Sequence, residues 1–391
     1  MLKLPVYLDY NSTTPCDPRV LEAMLPYFNQ HFGNAASRSH SFGWQAEEAV
    51  ELAREQIASL VGSENKEIIF TSGATEATNL AIKGVFESYI SKGNHIITTN
   101  IEHKAVLDTC KNLEKKGAEI TYLPVNAEGL ITPGQVEEAI RPTTILIAVM
   151  YANNETGTIL PVREIGAIAR KHNVVMFSDA AQAVGKIAVH VNDDHIDLMA
   201  FSAHKMYGPK GVGALFVRRK NPRVKLVAQI DGGGHEKGIR SGTLNVPGIV
   251  GFGKACEIAK NEMQEESNRL GKLRDQLEMA LLKLGAVYVN GSRDRRLPHV
   301  SNVSFKNVES DALMRGLSKD IAVSSGSACT SASIEPSYVL SALGLSAEMA
   351  HSSIRFALGR FTTEEEIKYT IDKVSDTIKQ LREMKESLIK P

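Results

Sequence analysis

Four short segments of this chain place chemically capable residues where a ligand could use them. Phe70-Thr71-Ser72-Gly73-Ala74-Thr75-Glu76 ends a β-like run in a small, polar turn and opens a helix pattern at Asn79-Leu80-Ala81-Ile82. A helix N-terminus offers free N–H groups and a dipole that favours an anion such as phosphate. The plainer reading is an ordinary strand-to-helix turn capped by Thr75. Asp179, in Phe177-Ser178-Asp179-Ala180-Ala181-Gln182, stands where a buried strand runs out, and the carboxyl ends of strands are where α/β sheets hold ligands. It could pair with a cationic ring nitrogen or simply cap the next element. Lys205, in Phe201-Ser202-Ala203-His204-Lys205, follows another apolar strand and offers an amine to an aldehyde, or else a solvated loop charge. Cys329 sits in a run of small polar residues, Ser324 to Ser333, whose composition is that of an accessible, mobile loop. Phosphate turn, strand-end acid and strand-end lysine, in that order, are the three anchors that a pyridoxal phosphate cofactor needs.

The elements that must carry these residues are legible as an α/β layer between about residues 47 and 217. Apolar strand patterns at 67–70, 95–98, 144–150, 174–177, 198–201 and 214–217 alternate with helical stretches such as 47–60 and 162–172, and predict a mainly parallel sheet. A long Glu-, Lys- and Leu-rich helix over about 247–284 bridges to a second domain, where a sheet pattern restarts at 300–305. Thr362, with Glu365 three residues on, reads as the capping box of a closing helix striped by Ile367, Ile371, Val374, Ile378 and Leu381.

Composition excludes several classes. Lys plus Arg and Asp plus Glu both number 45 in 391 residues, so no broad field argues for nucleic acid or an anionic membrane. The longest apolar runs fall far short of the ~20 residues that span a bilayer, and the first residues lack a signal-peptide core, which predicts a cytoplasmic location. Cys16, Cys110, Cys256 and Cys329 are far apart, without metal-ligand spacing. Cys110 and Cys256 lie in helical patterns, and Cys16 lies in a Pro-flanked turn, so all three read as structural thiols.

At these residues the chain resembles the cysteine desulfurases of the IscS/NifS type, most of all the bacterial IscS branch. Tyr7-Leu-Asp-Tyr10, Phe32-Gly-Asn34, Ser37-Arg-Ser-His40, Gly73-Ala-Thr-Glu76, Glu102-His-Lys104, Asn153-Asn-Glu155, His204-Lys205, Gly232-Gly-Gly-His-Glu236, Arg240-Ser-Gly-Thr243, Ser324-Ser-Gly-Ser-Ala-Cys-Thr-Ser331 and His351-Ser-Ser-Ile-Arg355 all occur in the family's order. The resemblance implies a fold-type-I pyridoxal-phosphate transferase working as a homodimer. Its large domain, residues 15–258, would hold a mainly parallel seven-stranded sheet flanked by helices, and residues 1–14 with 259–391 would form a smaller α+β domain carrying the cysteine loop.

Carried over residue by residue, the resemblance makes Lys205 the covalent anchor of the cofactor, Asp179 the partner of its ring nitrogen and His103 a residue stacked on the ring that assists proton transfers. Read without the resemblance, His103 is one polar residue after a strand. Ala74, Thr75, Ser202 and His204 would hold the phosphate, with Thr243 reaching in from a second subunit. Asn154 and Gln182 would contact the ring oxygen or nearby substrate groups. Arg355 would grip the carboxylate of L-cysteine with its fixed fork of donors. Cys329, as a thiolate, would take the sulfur as a persulfide and release L-alanine. Delivery to an iron–sulfur scaffold protein and to tRNA or cofactor thiolation relays is implied, with no intrinsic metal, though Cys329 could transiently ligate a cluster on the scaffold. Ala181 and Ala203 replace the Thr and Gly usual in the IscS branch, and the chain stops at Lys390-Pro391 where close relatives have a longer tail for partner contact. Selenocysteine lyase and aminotransferase-like activities would use the same anchors, and a subunit that only binds a sulfur-transfer partner is the reading from another class.

Overall fold

The computed structural model describes residues 2–325 and 335–389; Cys329 lies outside the described residues. Seven strands form the central sheet. In spatial order they are Ile68–Thr71, Gly213–Val217, Leu198–Ser202, Val175–Asp179, Thr144–Ala148, His95–Thr99 and Glu119–Leu123. Gly213–Val217 runs antiparallel to both of its neighbours and every other pairing is parallel. Six of the strands are buried at every position because both faces are covered, while the edge strand Glu119–Leu123 is partly exposed. Ile97, Ile147, Met176 and Met199 enter one core, shared with the helices Ser41–Val61 and Val246–Leu282. Their neighbours Ile96, Leu146, Phe177 and Leu198 enter the opposite core, under the helices Ala74–Tyr89 and Lys104–Glu114.

The helix Val246–Leu282 is the bridge that the sequence predicts. Its first half, with Ile249, Phe252 and Cys256, packs on the large sheet. Leu270, Leu273, Leu277 and Leu281 belong to a third core, around an antiparallel sheet of Ser324–Ser325, Ser353–Ala357, Val300–Phe305 and Val287–Val289 in that spatial order. The N-terminal strand Val6–Tyr7 pairs in parallel with Ile321–Ala322 in this region, and residues 9–14 then run toward the large sheet.

Two local expectations shift. The closing helix spans Glu364–Ile389, and its capping box is Thr363 with Glu366: Glu366 N donates to Thr363 Oγ1 and Thr363 N to Glu366 Oε2. Thr362 Oγ1 is already committed, accepting from Gly359 N at 2.9 Å, so the cap falls one residue later. The helix expected over 47–60 begins earlier, at Ser41, because the His40 ring accepts from Gly43 N and caps it. Among the described residues no helix is long and apolar enough to cross a membrane.

Candidate active site

A cavity of about 640 Å³ opens at the carboxyl ends of the parallel strands. It collects Ala74, Thr75, His103, Asn154, Asp179, Gln182, Ser202, His204, Lys205 and Arg355 from the predicted set. Thr243 does not line it, and Cys329 is outside the described residues.

At one end the helix Ala74–Tyr89 starts directly from the strand Ile68–Thr71. Its N-cap is Gly73, which supplies no side-chain acceptor, so the first-turn N–H groups face the cavity uncapped by any side chain. Gly213 on the neighbouring strand makes this turn sterically feasible: a Cβ there would sit 2.6 Å from Gly73 Cα. Glu76 in the first turn would repel an anion, but Arg240 Nε donates to it at 2.7 Å and Ser72 N at 2.8 Å. Those bonds outweigh burial and hold its carboxyl below the usual range. The His204 ring accepts or donates through Nδ1 to Thr13 Oγ1 at 3.1 Å. Burial, with the charges of Lys205 and Lys210, pushes its pKa down to about 4, so it is a neutral ring with a single N–H at neutral pH. Lys210, to which the sequence reading assigned no role, adds a cation to this end.

In the middle, Asp179 is the last residue of its strand and its Oδ1 accepts from Ala181 N at 3.0 Å, so it also caps the next turn. Burial pushes its carboxyl above the usual carboxylate range, against the pull of His103 and Lys205. A carboxylate so placed gains most from one further cation. His103 is the N-cap of the helix Lys104–Glu114, accepting from Ala105 N through Nδ1 at 3.1 Å, which leaves Nε2 as the nitrogen for the cavity. The structural and the chemical readings of this residue are therefore compatible. Lys205 Nζ donates to the carbonyls of Asn11 at 2.6 Å and Ser12 at 2.9 Å.

At the far end Arg355, on Ser353–Ala357, donates through NH1 to Asn154 O at 2.9 Å, and through NH2 to Asp9 Oδ1 at 2.6 Å, Ser12 Oγ at 2.8 Å and Ser324 Oγ at 3.0 Å. Among the described residues its buried Nε has no hydrogen-bond partner, and neither has Asn154 Oδ1. Buried polar atoms are nearly always paired, and both of these belong to residues that line the cavity. The N-terminal residues Asp9, Asn11, Ser12 and Thr13 are the part of the site that sequence reasoning missed. The polar run Asn11-Ser12-Thr13-Thr14 before Pro15 was the available signal.

An uncapped helix start, a buried acid, a lysine and two unpaired polar atoms fit pyridoxal phosphate. With a covered, mostly parallel sheet below them they define a fold-type-I transferase. Residues 6–370 match the family Aminotransferase class-V. "Cysteine desulfurase IscS" of Anaeromyxobacter sp. (strain K) is 58% identical over 384 residues, 98% of this chain and 95% of that protein. Among solved structures, a "NIFS-LIKE PROTEIN" superposes with a TM-score of 0.90 at 39% identity, covering 97% of this chain and all of that one (100%). A second, "SspA in complex with cysteine", gives 0.81 at 40% identity over 92% of this chain and 100% of its own. The chain belongs to the class-V aminotransferases, a pyridoxal-phosphate-dependent family, and within them to the cysteine desulfurases of the IscS/NifS type.

Proposed function

We propose that this enzyme removes sulfur from free L-cysteine, releases L-alanine and keeps the sulfur as a persulfide on Cys329. The observation that carries the reading is the meeting of Lys205, Asp179 and Arg355 in one cavity of a chain with desulfurase relatives. Pyridoxal phosphate bound here supplies an aldehyde that captures amines and a ring that accepts the electrons of a substrate C–H bond. The N–H groups of Ala74 and Thr75, with Ser202, His204 and Lys210, would hold its phosphate, and Thr243 of a second copy would complete the cradle. Asp179 would keep the ring nitrogen protonated, His103 would stack on the ring, and Gln182 and Asn154 would contact its oxygen or nearby substrate groups. A dimer is supported by the exposed apolar side chains of Leu21, Leu25, Phe28, Phe32, Phe42 and Trp44, more than a monomer of this size needs to show to water.

Lys205 would hold the cofactor through Nζ and would be the base for the proton on the substrate Cα. The carbonyls of Asn11 and Ser12 aim its Nζ. Arg355 would receive the substrate carboxylate with its guanidinium, which lines the far end of the cavity. The Cys329 thiolate would then attack the substrate sulfur: an S–S bond forms, the C–S bond breaks with its electron pair kept by Cβ, and alanine is completed by one proton added at Cβ and the proton held by Lys205 returned to Cα. Two observations support Cys329 as the carrier. Ser324–Ser325, which leads into its segment, pairs with the strand that bears Arg355. Cys110 and Cys256 are buried, and burial raises both thiols, to about 12 for Cys110. Burial also raises the half-buried Cys16. Residues 15–258 serve as the cofactor domain and 1–14 with 259–391 as the sulfur-handling domain, working in the cytoplasm and passing sulfur to an iron–sulfur scaffold and thiolation acceptors.

Peptide mass spectrometry after adding cysteine tests the proposal. An extra sulfur on the Cys329 peptide with stoichiometric alanine is expected; sulfur on another cysteine, or alanine from Cys329→Ala at the wild-type rate, refutes it.

A further inference from the structure

We infer that Lys186, a second lysine behind the cavity, is a positioning residue that fixes which end of the Gln182 amide faces the cofactor. Lys186 Nζ donates to Gln182 Oε1 at 3.1 Å, and Gln182 Nε2 donates to Asn11 O at 3.0 Å. The carbonyl of Asn11 can only accept, so a reversed amide would set oxygen against oxygen at one end and turn its NH₂ toward the lysine at the other. Held this way round, Gln182 spends one N–H on Asn11 and has the second left for the cavity that it lines. What faces the cofactor is a donor, not an acceptor.

The backbone around Lys186 is fixed independently of the side chain. Lys186 N donates to Ala183 O at 3.0 Å and Ser267 Oγ donates to Lys186 O at 2.6 Å. The preceding Gly185 adopts φ +78°, and a Cβ there would meet Met206 Cε at 2.7 Å. The side chain then runs inward and is buried. Among the described residues it has no carboxylate within ion-pairing distance: Glu266, on the wall of the same small recess, gives Oε2 to Arg360 Nε at 2.8 Å. Burial, with the positive charges of Lys205 and Arg355 in the same direction, pushes the amine down to about 7. A polar head taken into the interior at this cost, with one amide as its partner, is better explained by orienting that amide than by stability, since an apolar chain of similar length would fill the same space.

The inference rests on the reading that Gln182 faces the ring oxygen of the cofactor. A donor there stabilises negative charge on that oxygen, and losing it makes the neighbouring imine nitrogen hold its proton to higher pH. The experiment titrates the visible absorption of the holoenzyme, without substrate, in Lys186→Met, Gln182→Ala and the double variant, with thermal melting alongside. Gln182→Ala should raise the midpoint by about one pH unit, the worth of a hydrogen bond to a charged group. Lys186→Met should raise it in the same direction, and the double variant should go no further than Gln182→Ala. An unmoved midpoint in Lys186→Met, or the same added shift in both backgrounds, overturns the inference. An unmoved midpoint in Gln182→Ala instead overturns the reading of Gln182 on which it rests. Should Lys186→Met not yield folded holoenzyme, Lys186→Leu, alone and combined with Gln182→Ala, is read by the same criteria: a raised midpoint that vanishes in the Gln182→Ala background supports the role, and an unmoved midpoint or an equal shift in both backgrounds overturns it.

Discussion

Replacing Arg355 by Lys keeps a positive charge at the far end of the cavity and removes the fork. Arg355 is 6% exposed, and its two terminal nitrogens reach four acceptors on three separate segments: Asn154 O, Asp9 Oδ1, Ser12 Oγ and Ser324 Oγ. A lysine in the same space offers one nitrogen and satisfies only part of that set, so it cannot both stay tethered and present two parallel donors to a carboxylate. A charge-assisted hydrogen bond lost from a buried site costs about 1.5–3 kcal/mol, which is about 10- to 150-fold in kcat/KM. The loss should fall mainly on KM, because the carboxylate is gripped in the ground state as well as in the transition state. Alanine release measured over a range of cysteine concentrations reads both constants, and the visible spectrum of the resting holoenzyme should be unchanged. A kcat/KM within twofold of wild type would show that the carboxylate is held elsewhere and that the tethers to Asp9 and Ser324 are structural only.

The other outcomes follow from buried charges. Glu102 is fully buried with Oε2 unpaired, and burial pushes its carboxyl up from an ordinary 4.5 to about 8. A raised acid contributes stability below its unfolded pKa that is lost as pH rises through the folded one, so Glu102→Gln should gain on wild type between about pH 4.5 and about 8 in urea-unfolding midpoints. Parallel stability curves over that window would refute the assignment. Glu236 accepts from Arg54 NH1 and NH2 and from Phe70 N, each at 2.8 Å. Glu236→Ala strands a buried guanidinium and should cost about 3–5 kcal/mol by denaturant titration of the apoprotein. A cost below about 1 kcal/mol would mean that Glu51 and water replace it.

Asp179 and Lys205 were legible because each breaks an apolar run, 174–177 and 198–201, where a strand ends, and strand ends are where such a sheet holds its ligands. The inner strands were legible because burial on both faces leaves a continuous apolar run, whereas the edge strand Glu119–Leu123, with Glu, Thr and Tyr partly exposed, leaves none. Asn11 was not. It touches Gln182, Lys205 and His299 across separations of 171, 194 and 288 residues, and no local periodicity encodes such contacts. The capping box slipped by one residue because Thr362-Thr363 and Glu364-Glu365-Glu366 satisfy the spacing in two registers, and only the prior commitment of Thr362 to Gly359 decides between them. Lys186 stands outside the readings made from the sequence, since sequence carries no sign of depth.

Residues 9–13 make their contacts with strands and loops that leave the ribosome long after them. The Asp9–Arg355 ion pair spans 346 positions, and Val6–Tyr7 can pair only once Ile321–Ala322 exists. During synthesis the central sheet, with residues 11–14 held against Asn154, Gln182, His204 and Tyr207, can therefore be in place while Arg355 does not yet exist. If Arg355 holds the substrate carboxylate as proposed, a nascent chain or a fragment that ends before it would have a lysine to react with an aldehyde but no means of choosing an amino acid, and the topology would keep unfinished copies from spending cysteine.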